Sequence, residues 1–288
     1  MKRLRALCLV ILLISVGAFG YCKVKQLRSG DNLAPVIYVG ESNIEVSVED
    51  GEDILLQGVT AEDRKDGDVT GSVIVENISG FLDDGRRIVT YAAFDSDNHV
   101  SKATRQITYK DYTSPRFEIN APLRFPAGTT NFLSGIAVTD CLDGDLSSSV
   151  RFSRGYEITT DEPGNYRMQL EVANSAGDMV YLPVTVEVYD PSEYSQTPQI
   201  SLKEYIKYVK KGQTLDAKDY LDSVEIAGTE YKVVSGGGMT ESTVGRDEIK
   251  MIDSEIDYKT PGVYEAIFSM TSEFGQTGTV RMVVVVEE

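Results

Sequence analysis

The sequence predicts an all-β chain of tandem β-sandwiches behind one N-terminal helix, and three observations predict it. A small residue, a proline, any residue and an apolar residue recur at Ala34-Pro35-Val36-Ile37, Ser114-Pro115-Arg116-Phe117 and Thr197-Pro198-Gln199-Ile200, spaced by 80 and 83 positions. Short segments rich in Val, Ile, Tyr and Thr alternate with breaks made of Gly and Asp. From residue 31 onward no run of 12 residues carries helical periodicity.

The N-terminus differs from the rest in charge and hydropathy. Residues 1–30 hold six basic side chains (Lys2, Arg3, Arg5, Lys23, Lys25 and Arg28) and no acid, and they bracket an apolar run of 17 residues from Ala6 to Cys22. Such a segment is either a signal peptide or a membrane anchor. Ala18 and Gly20 place small residues where a signal peptidase needs them, whereas Lys23 and Lys25 would hold a retained span at the outer face. Tyr21, directly before Cys22, is too large for a lipoprotein site. On both readings the remainder is extracytoplasmic, single-pass anchored or secreted. The whole chain carries 28 basic against 45 acidic residues, a net charge of −17, which excludes nucleic acid and anionic lipid headgroups as partners. Membrane contact is expected only through the N-terminal helix.

The proline motifs divide the rest of the chain. Proline fixes its own φ and pushes the preceding residue toward an extended conformation, so each motif reads as the entry to an edge strand. The expected domains are 31–111, 112–190 and 198–288, with 191–197 as a linker that bends more than the short join after residue 110. Gly51, Gly128 and Gly212 mark an early turn in each domain. Pro163-Gly164-Asn165-Tyr166 and Pro261-Gly262-Val263-Tyr264 precede a closing pair of strands in the second and third. About 80 residues per unit with short strands is the size of an immunoglobulin-like sandwich. Antibody-type domains are not implied, because the chain has no Trp and only Cys141 lies outside the N-terminal segment, which leaves no internal disulfide there.

The aspartate motifs are the one place where chemistry is in question. DRKDGD at 63–68 and DCLDGD at 140–145 set three aspartates around one glycine, 77 positions apart. Asp-Gly supplies the side-chain acceptor and the positive φ of a tight turn, and this is the preferred reading. Three carboxylates so close also repel, so calcium bound by Asp63, Asp66, Asp68, Asp140, Asp143 and Asp145 stays open as the alternative. The spacing lacks the alternate-residue ligands and terminal Glu of a helix-loop-helix calcium loop. No other cofactor is expected.

Together, the Gly-rich turns, Asp-x-x-Asp-Gly-Asp, Pro-Gly-x-Tyr and the later Asp/Asn-rich turn resemble the bacterial immunoglobulin-like repeat found in Gram-positive surface proteins and some pesticidal crystal toxins. The resemblance covers residues 34–190 well and 198–288 in part, where Asp219-Tyr220-Leu221-Asp222 keeps two aspartates but Ser223-Val224 stands for Gly-Asp. It implies a spacer or adhesive module outside the cell, with no catalytic residues to carry over.

Catalytic inventory points the same way. His99 is the only histidine and has no recognisable nucleophile beside it in sequence, a zinc site cannot be built from one His and one exported Cys, and Gly236-Gly237-Gly238 lacks the Lys-Ser/Thr of a phosphate loop. The expectation is a non-catalytic surface protein, a tandem rod for spacing, adhesion or protein interaction with an unidentified surface protein or glycan. The alternative is a carbohydrate-binding or enzyme-accessory module, in which some of the 16 Tyr would serve as sugar platforms. Between Gly212 and Gly262 the third domain spans 50 positions, against 36 for Gly128 to Gly164. The surplus, Ser235 to Tyr258, is expected to be a loop whose acids (Glu241, Asp247, Glu248, Asp253, Glu255 and Asp257) meet a basic partner.

Overall fold

Each proline motif does open a strand, and the same two-sheet sandwich comes after it three times. The computed structural model describes residues 2–29, 33–156, 158, 161–192, 196–252 and 255–288. The N-terminal helix α1 runs Lys2–Ser29. Its apolar run of 17 residues reaches about 25 Å as helix, against about 30 Å of bilayer core. Among the described residues no helix is long and apolar enough to cross a membrane.

The chain forms two compact units, residues 1–112 and 113–288. In the first unit the elements are β1 (Val36–Val39), β2 (Asn43–Val46), α2 (Glu52–Leu56), β3 (Val59–Asp63), β4 (Gly67–Asp68), β5 (Ile74–Ile78), β6 (Arg87–Phe94) and β7 (Val100–Tyr109). They build sheets β1-β3-β4 and β2-β7-β6-β5, antiparallel except that β2 runs parallel to the last strand, β7. Alternate residues of β3, namely Val59, Ala61 and Asp63, are buried, as a strand with one face on a core requires. Val46, Val89, Tyr91 and Ile107 meet them from the other sheet. Short helix α2 is held by its C-terminal carbonyls, since Tyr91 Oη donates to Leu55 O at 2.7 Å and Arg105 Nη1 to Gln57 O at 3.0 Å.

The second unit holds two sandwiches. The first of these has β8 (Arg116–Ile119), β9 (Arg124–Pro126), β10 (Ile136–Asp140), β11 (Gly144–Asp145), β12 (Arg151–Phe152), β13 (Gly164–Ala173) and β14 (Met179–Tyr189), in sheets β11-β10-β8 and β12-β13-β14-β9. The next has β15 (Gln199–Leu202), β16 (Ile206–Lys210), β17 (Leu221–Ile226), β18 (Thr229–Val234), β19 (Thr243–Gly245), β20 (Lys250–Ile252), β21 (Gly262–Thr271) and β22 (Thr277–Glu287), in sheets β15-β17-β18-β19 and β16-β22-β21-β20. The fold is all-β: tandem immunoglobulin-like sandwiches, each with its second strand parallel to its last.

The Pro-Gly-x-Tyr motifs have a structural cause. Tyr166 Oη donates to Glu162 O at 2.8 Å and Tyr264 Oη to Thr260 O at 2.9 Å, so each tyrosine ties the start of its strand to the turn before it.

Three expectations are corrected. The join at 191–197 is not the bending element expected, because the second and third sandwiches pack on each other through one continuous apolar cluster that includes Phe117, Ile119, Tyr205, Ile206 and Val283. Polar contacts reinforce it: Phe117 N donates to Tyr208 Oη at 2.9 Å, Thr185 N to Glu265 Oε1 at 2.9 Å, and Arg124 bridges Glu187 and Thr279 O. Residues 193–195 lie outside those described. The motif Asp219-Tyr220-Leu221-Asp222 is not the counterpart of the aspartate turns, since register places Ile226 where Asp63 and Asp140 stand. There the chain reverses through Ala227-Gly228, both at positive φ, in a two-residue hairpin that needs no carboxylate. Finally, the surplus segment is not simply a loop. It supplies β19 and β20, and Val244 and Ile249 are fully buried in the core.

Candidate functional site

The two aspartate turns carry the only metal expectation. Asp63 Oδ1 accepts from the amides of Lys65 and Asp66 at 2.7 and 2.8 Å, and Asp140 Oδ1 accepts from Leu142 and Asp143, both at 2.9 Å. The second carboxylate reaches a neighbouring turn. Asp66 accepts from Ser96 N and Oγ, both at 2.9 Å, as Asp143 accepts from Ser175 N and Oγ at 2.5 and 2.7 Å. The third closes its own turn, with Asp68 Oδ1 accepting from Thr70 N and Asp145 Oδ1 from Ser147 N and Oγ. These N–H and O–H donors favour the ionised form. Ser96 amide and hydroxyl hold Asp66 below the usual carboxylate range, and Thr70 and Ser147, through hydroxyl and then amide, do the same for Asp68 and Asp145. Gly67 and Gly144 take φ of +73° and +75°, the left-handed conformation the Asp-Gly pairs were read to need. The carboxylates are thus engaged as turn acceptors, and among the described residues no three His, Cys, Asp or Glu side chains group as a metal site.

His99 sits at the end of the first unit's closing turn. Its Nδ1 lies 2.8 Å from Asp95 Oδ2. Burial pushes the Asp95 carboxyl up, but donors from His99 and Asp97 outweigh it and hold that group below its ordinary value.

The acids expected to meet a partner stand in different settings among the described residues. Glu241 and Glu248 are exposed, Asp247 lies 3.8 Å from Lys218 Nζ, and Asp253 is outside the described residues. Asp257 closes a turn by accepting from Thr260 Oγ1 and Lys259 N, which lowers its pKa. Arg246, in the same segment, reaches back to Asp216 and Asp219. Glu255 lines a concavity.

That concavity is an open groove of about 440 Å³ between the second and third sandwiches, lined by Tyr156, Arg167 and Pro183 on one side and Glu255, Tyr264 and Ile267 on the other. Strand register explains the first wall. Arg167 pairs with Thr185, Gln169 with Pro183 and Glu171 with Tyr181, so these side chains share the outer face of their sheet. Tyr156 lies across them, 41% exposed, with its hydroxyl on Gln169 Oε1 at 3.1 Å. Tyr181, 48% exposed, continues the aromatic surface beyond the groove. Glu171 is set firmly beside it by Arg151 Nε at 2.6 Å and Ser153 Oγ at 2.7 Å, and these donors, Arg151 first, lower its pKa. The arrangement offers apolar ring faces flanked by fixed donors and acceptors, suited to recognition.

A second groove of about 500 Å³ lies along Arg116–Asn120 and Leu202–Tyr208. Its tyrosines are already engaged: Tyr208 bonds Phe117 under the Arg116 guanidinium, 4.6 Å from the ring centroid, and Tyr205 is buried. Sequence reasoning named Glu255 but missed Tyr156, Arg167 and Tyr264. The only signal was the abundance of Tyr without Trp, because the wall is assembled from residues about a hundred positions apart.

No family model matches the chain. The pesticidal crystal protein Cry22Aa of Bacillus thuringiensis is 26% identical over 225 residues, 75% of this chain, and this chain spans 28% of that protein's length. Among solved structures, CBM51-2 in complex with GlcNAc and INT domains from Clostridium perfringens ZmpB is 21% identical, covering 51% of this chain and 26% of that one, with a TM-score of 0.22. Drosophila N-cadherin EC1-4 is 12% identical, covering 75% and 66%, with a TM-score of 0.21.

Proposed function

We propose that the chain is a non-catalytic extracytoplasmic binding protein, a tandem immunoglobulin-like array for adhesion or protein interaction, whose second unit presents the tyrosine-lined groove. The observation that carries this reading is the fusion of two sandwiches by a shared core, which leaves Tyr156, Arg167, Glu255 and Tyr264 facing one open groove on a stiff body. A binding surface gains affinity when its scaffold needs no ordering on association, and a shared core provides that. Export is read from the basic and apolar N-terminal segment, whether signal peptide or membrane anchor. The turn carboxylates serve as acceptors for backbone amides, so the reading needs no cofactor.

A second reading is favoured by one specific feature. Exposed Tyr156 and Tyr181 flank Pro183 on a flat sheet face, with Glu171, Gln169 and Arg167 alongside, which is the mix of ring faces and paired hydrogen-bonding groups that a sugar requires. The experiment that tests both is capture on arrays of glycans and of cell-surface proteins, with the wild-type chain beside a Tyr156→Ala variant. Ligand retained by the first and lost by the second supports the groove and reveals the ligand class, whereas equal retention by both moves the site elsewhere.

A further inference from the structure

Beside the tyrosine-lined groove the second sandwich opens a further pocket of about 320 Å³, lined by Phe132, Leu133, Phe152, Tyr156, Ile158 and Met168. Tyr156 and Met168 line both concavities, so the pocket adjoins the groove and Tyr156 is a wall of each. The floor is packed in place: Phe132 is 7% exposed and meets Phe125 edge-on at 5.2 Å, and Met168 is buried. The rim is tied as well, since Asn131 Oδ1 accepts from Leu133 N and Ile136 N donates to Leu133 O, both at 3.1 Å. A pocket held in this way needs little ordering to accept a ligand.

The chemistry of the two concavities differs. Among the described lining of the pocket, Thr130 and Asn131 add polar side chains, the Tyr156 hydroxyl is spent on Gln169, and the rest is apolar. A sugar, with a hydroxyl on nearly every carbon, would leave several of them unpaired there, at a cost for each. A bulky aliphatic or aromatic side chain loses only water on entering. The groove next to the pocket is charged. Arg167 is exposed on its first wall, and its guanidinium has no hydrogen-bond or ion-pair partner among the described residues. Glu171, on the same sheet face, is already taken by Arg151 and Ser153, and Glu265 on the facing wall by Thr185. An unpaired guanidinium offers a carboxylate two parallel hydrogen bonds together with its charge.

We propose, on the premise that the groove is the binding site, that its ligand is an extended polypeptide segment of a partner protein, with a bulky apolar side chain seated in the pocket and a neighbouring Asp or Glu on Arg167. An extended chain suits this layout because its successive side chains leave on opposite sides, so one enters the pocket while another lies in the groove. Tyr156, shared by both concavities, packs against the backbone between them.

Selection from a phage-displayed library of short random peptides on the purified full chain tests this. Enriched peptides should share a Leu, Ile, Met, Phe or Tyr with an Asp or Glu close by in sequence. For one such peptide, replacing its acid by the matching amide should weaken binding to wild type about tenfold, yet leave binding to Arg167→Gln unchanged, because that pair is already lost. Replacing its apolar residue by Ala should weaken binding to both chains, a reading that does not depend on how a variant folds. Enriched peptides without this pair of residues, an equal loss on both chains when the acid is replaced, or no enrichment at all overturns the proposal. The groove is judged separately by Tyr156→Ala. A glycan captured by wild type and lost by that variant keeps the groove and refutes the peptide, whereas selected peptides retained in full by it refute the groove itself.

Discussion

Arg116 in the second sandwich places Nη2 at 2.7 and 2.8 Å from the two carboxylate oxygens of Glu287 in the third, while its guanidinium plane lies over Tyr208. Residues 171 positions apart thereby meet where the two sandwiches join, beside the Phe117 N to Tyr208 Oη bond. Tyr208→Phe removes that acceptor and leaves a backbone N–H unpaired at a mostly buried position, so it should destabilise the second unit by about 1 kcal/mol. Urea unfolding of the full chain would show a lower midpoint with an unchanged slope.

The surplus segment divides into core and tip. Ile249→Ala opens a cavity at a fully buried position and should cost about 3 kcal/mol, whereas deletion of Gly236 to Gly238 should cost far less, since all three are exposed and carry no side chain to pack. Thermal unfolding of the two variants would rank them. Equal losses would mean that the segment docks as one piece.

Acid should loosen the aspartate turns. The folded Asp66, Asp68 and Asp145 carboxyls sit below their ordinary value, so the stability they contribute is complete above about pH 4 and lost as pH falls through the lower folded values. Ser147→Ala removes the hydroxyl that contributes most to the lowering at Asp145. The variant should lose less of its stability between pH 5 and pH 2 than wild type, as read from melting temperatures at each pH.

Divalent ions are expected to be dispensable. Because the turn carboxylates are already engaged by amides and hydroxyls, a chelator should leave the melting temperature of the purified chain unchanged. A rise of several degrees on adding calcium would show that the turns bind it.

Legibility in the sequence differs from element to element. The three Pro motifs and the Asp-Gly turns mark local conformation, which depends on neighbours a few positions away, and strands and positive-φ glycines stand where they indicated. The third sandwich misled because its hairpin turn, Ala227-Gly228, does the work of the aspartate turns with different chemistry, and Asp219 and Asp222 imitate the motif by chance of spacing. The surplus segment looked like a loop because its buried anchors, Val244 and Ile249, are single apolar residues among polar neighbours. The groove was illegible for another reason. Tyr156 and Tyr264 become neighbours only through the packing of two sandwiches, and that packing rests on pairs such as Arg116 and Glu287 that no local pattern announces.

The groove of the second unit is where a ligand is expected to bind. The most direct measurement is capture of ligands from glycan and surface-protein arrays by three purified chains: wild type, Tyr156→Ala, and Glu241→Ala as a change on the distant exposed tip. Wild type and Glu241→Ala should retain the same ligand, and Tyr156→Ala should lose it while keeping its melting temperature. Retention by Tyr156→Ala equal to wild type, or loss confined to Glu241→Ala, would contradict a binding role for the groove.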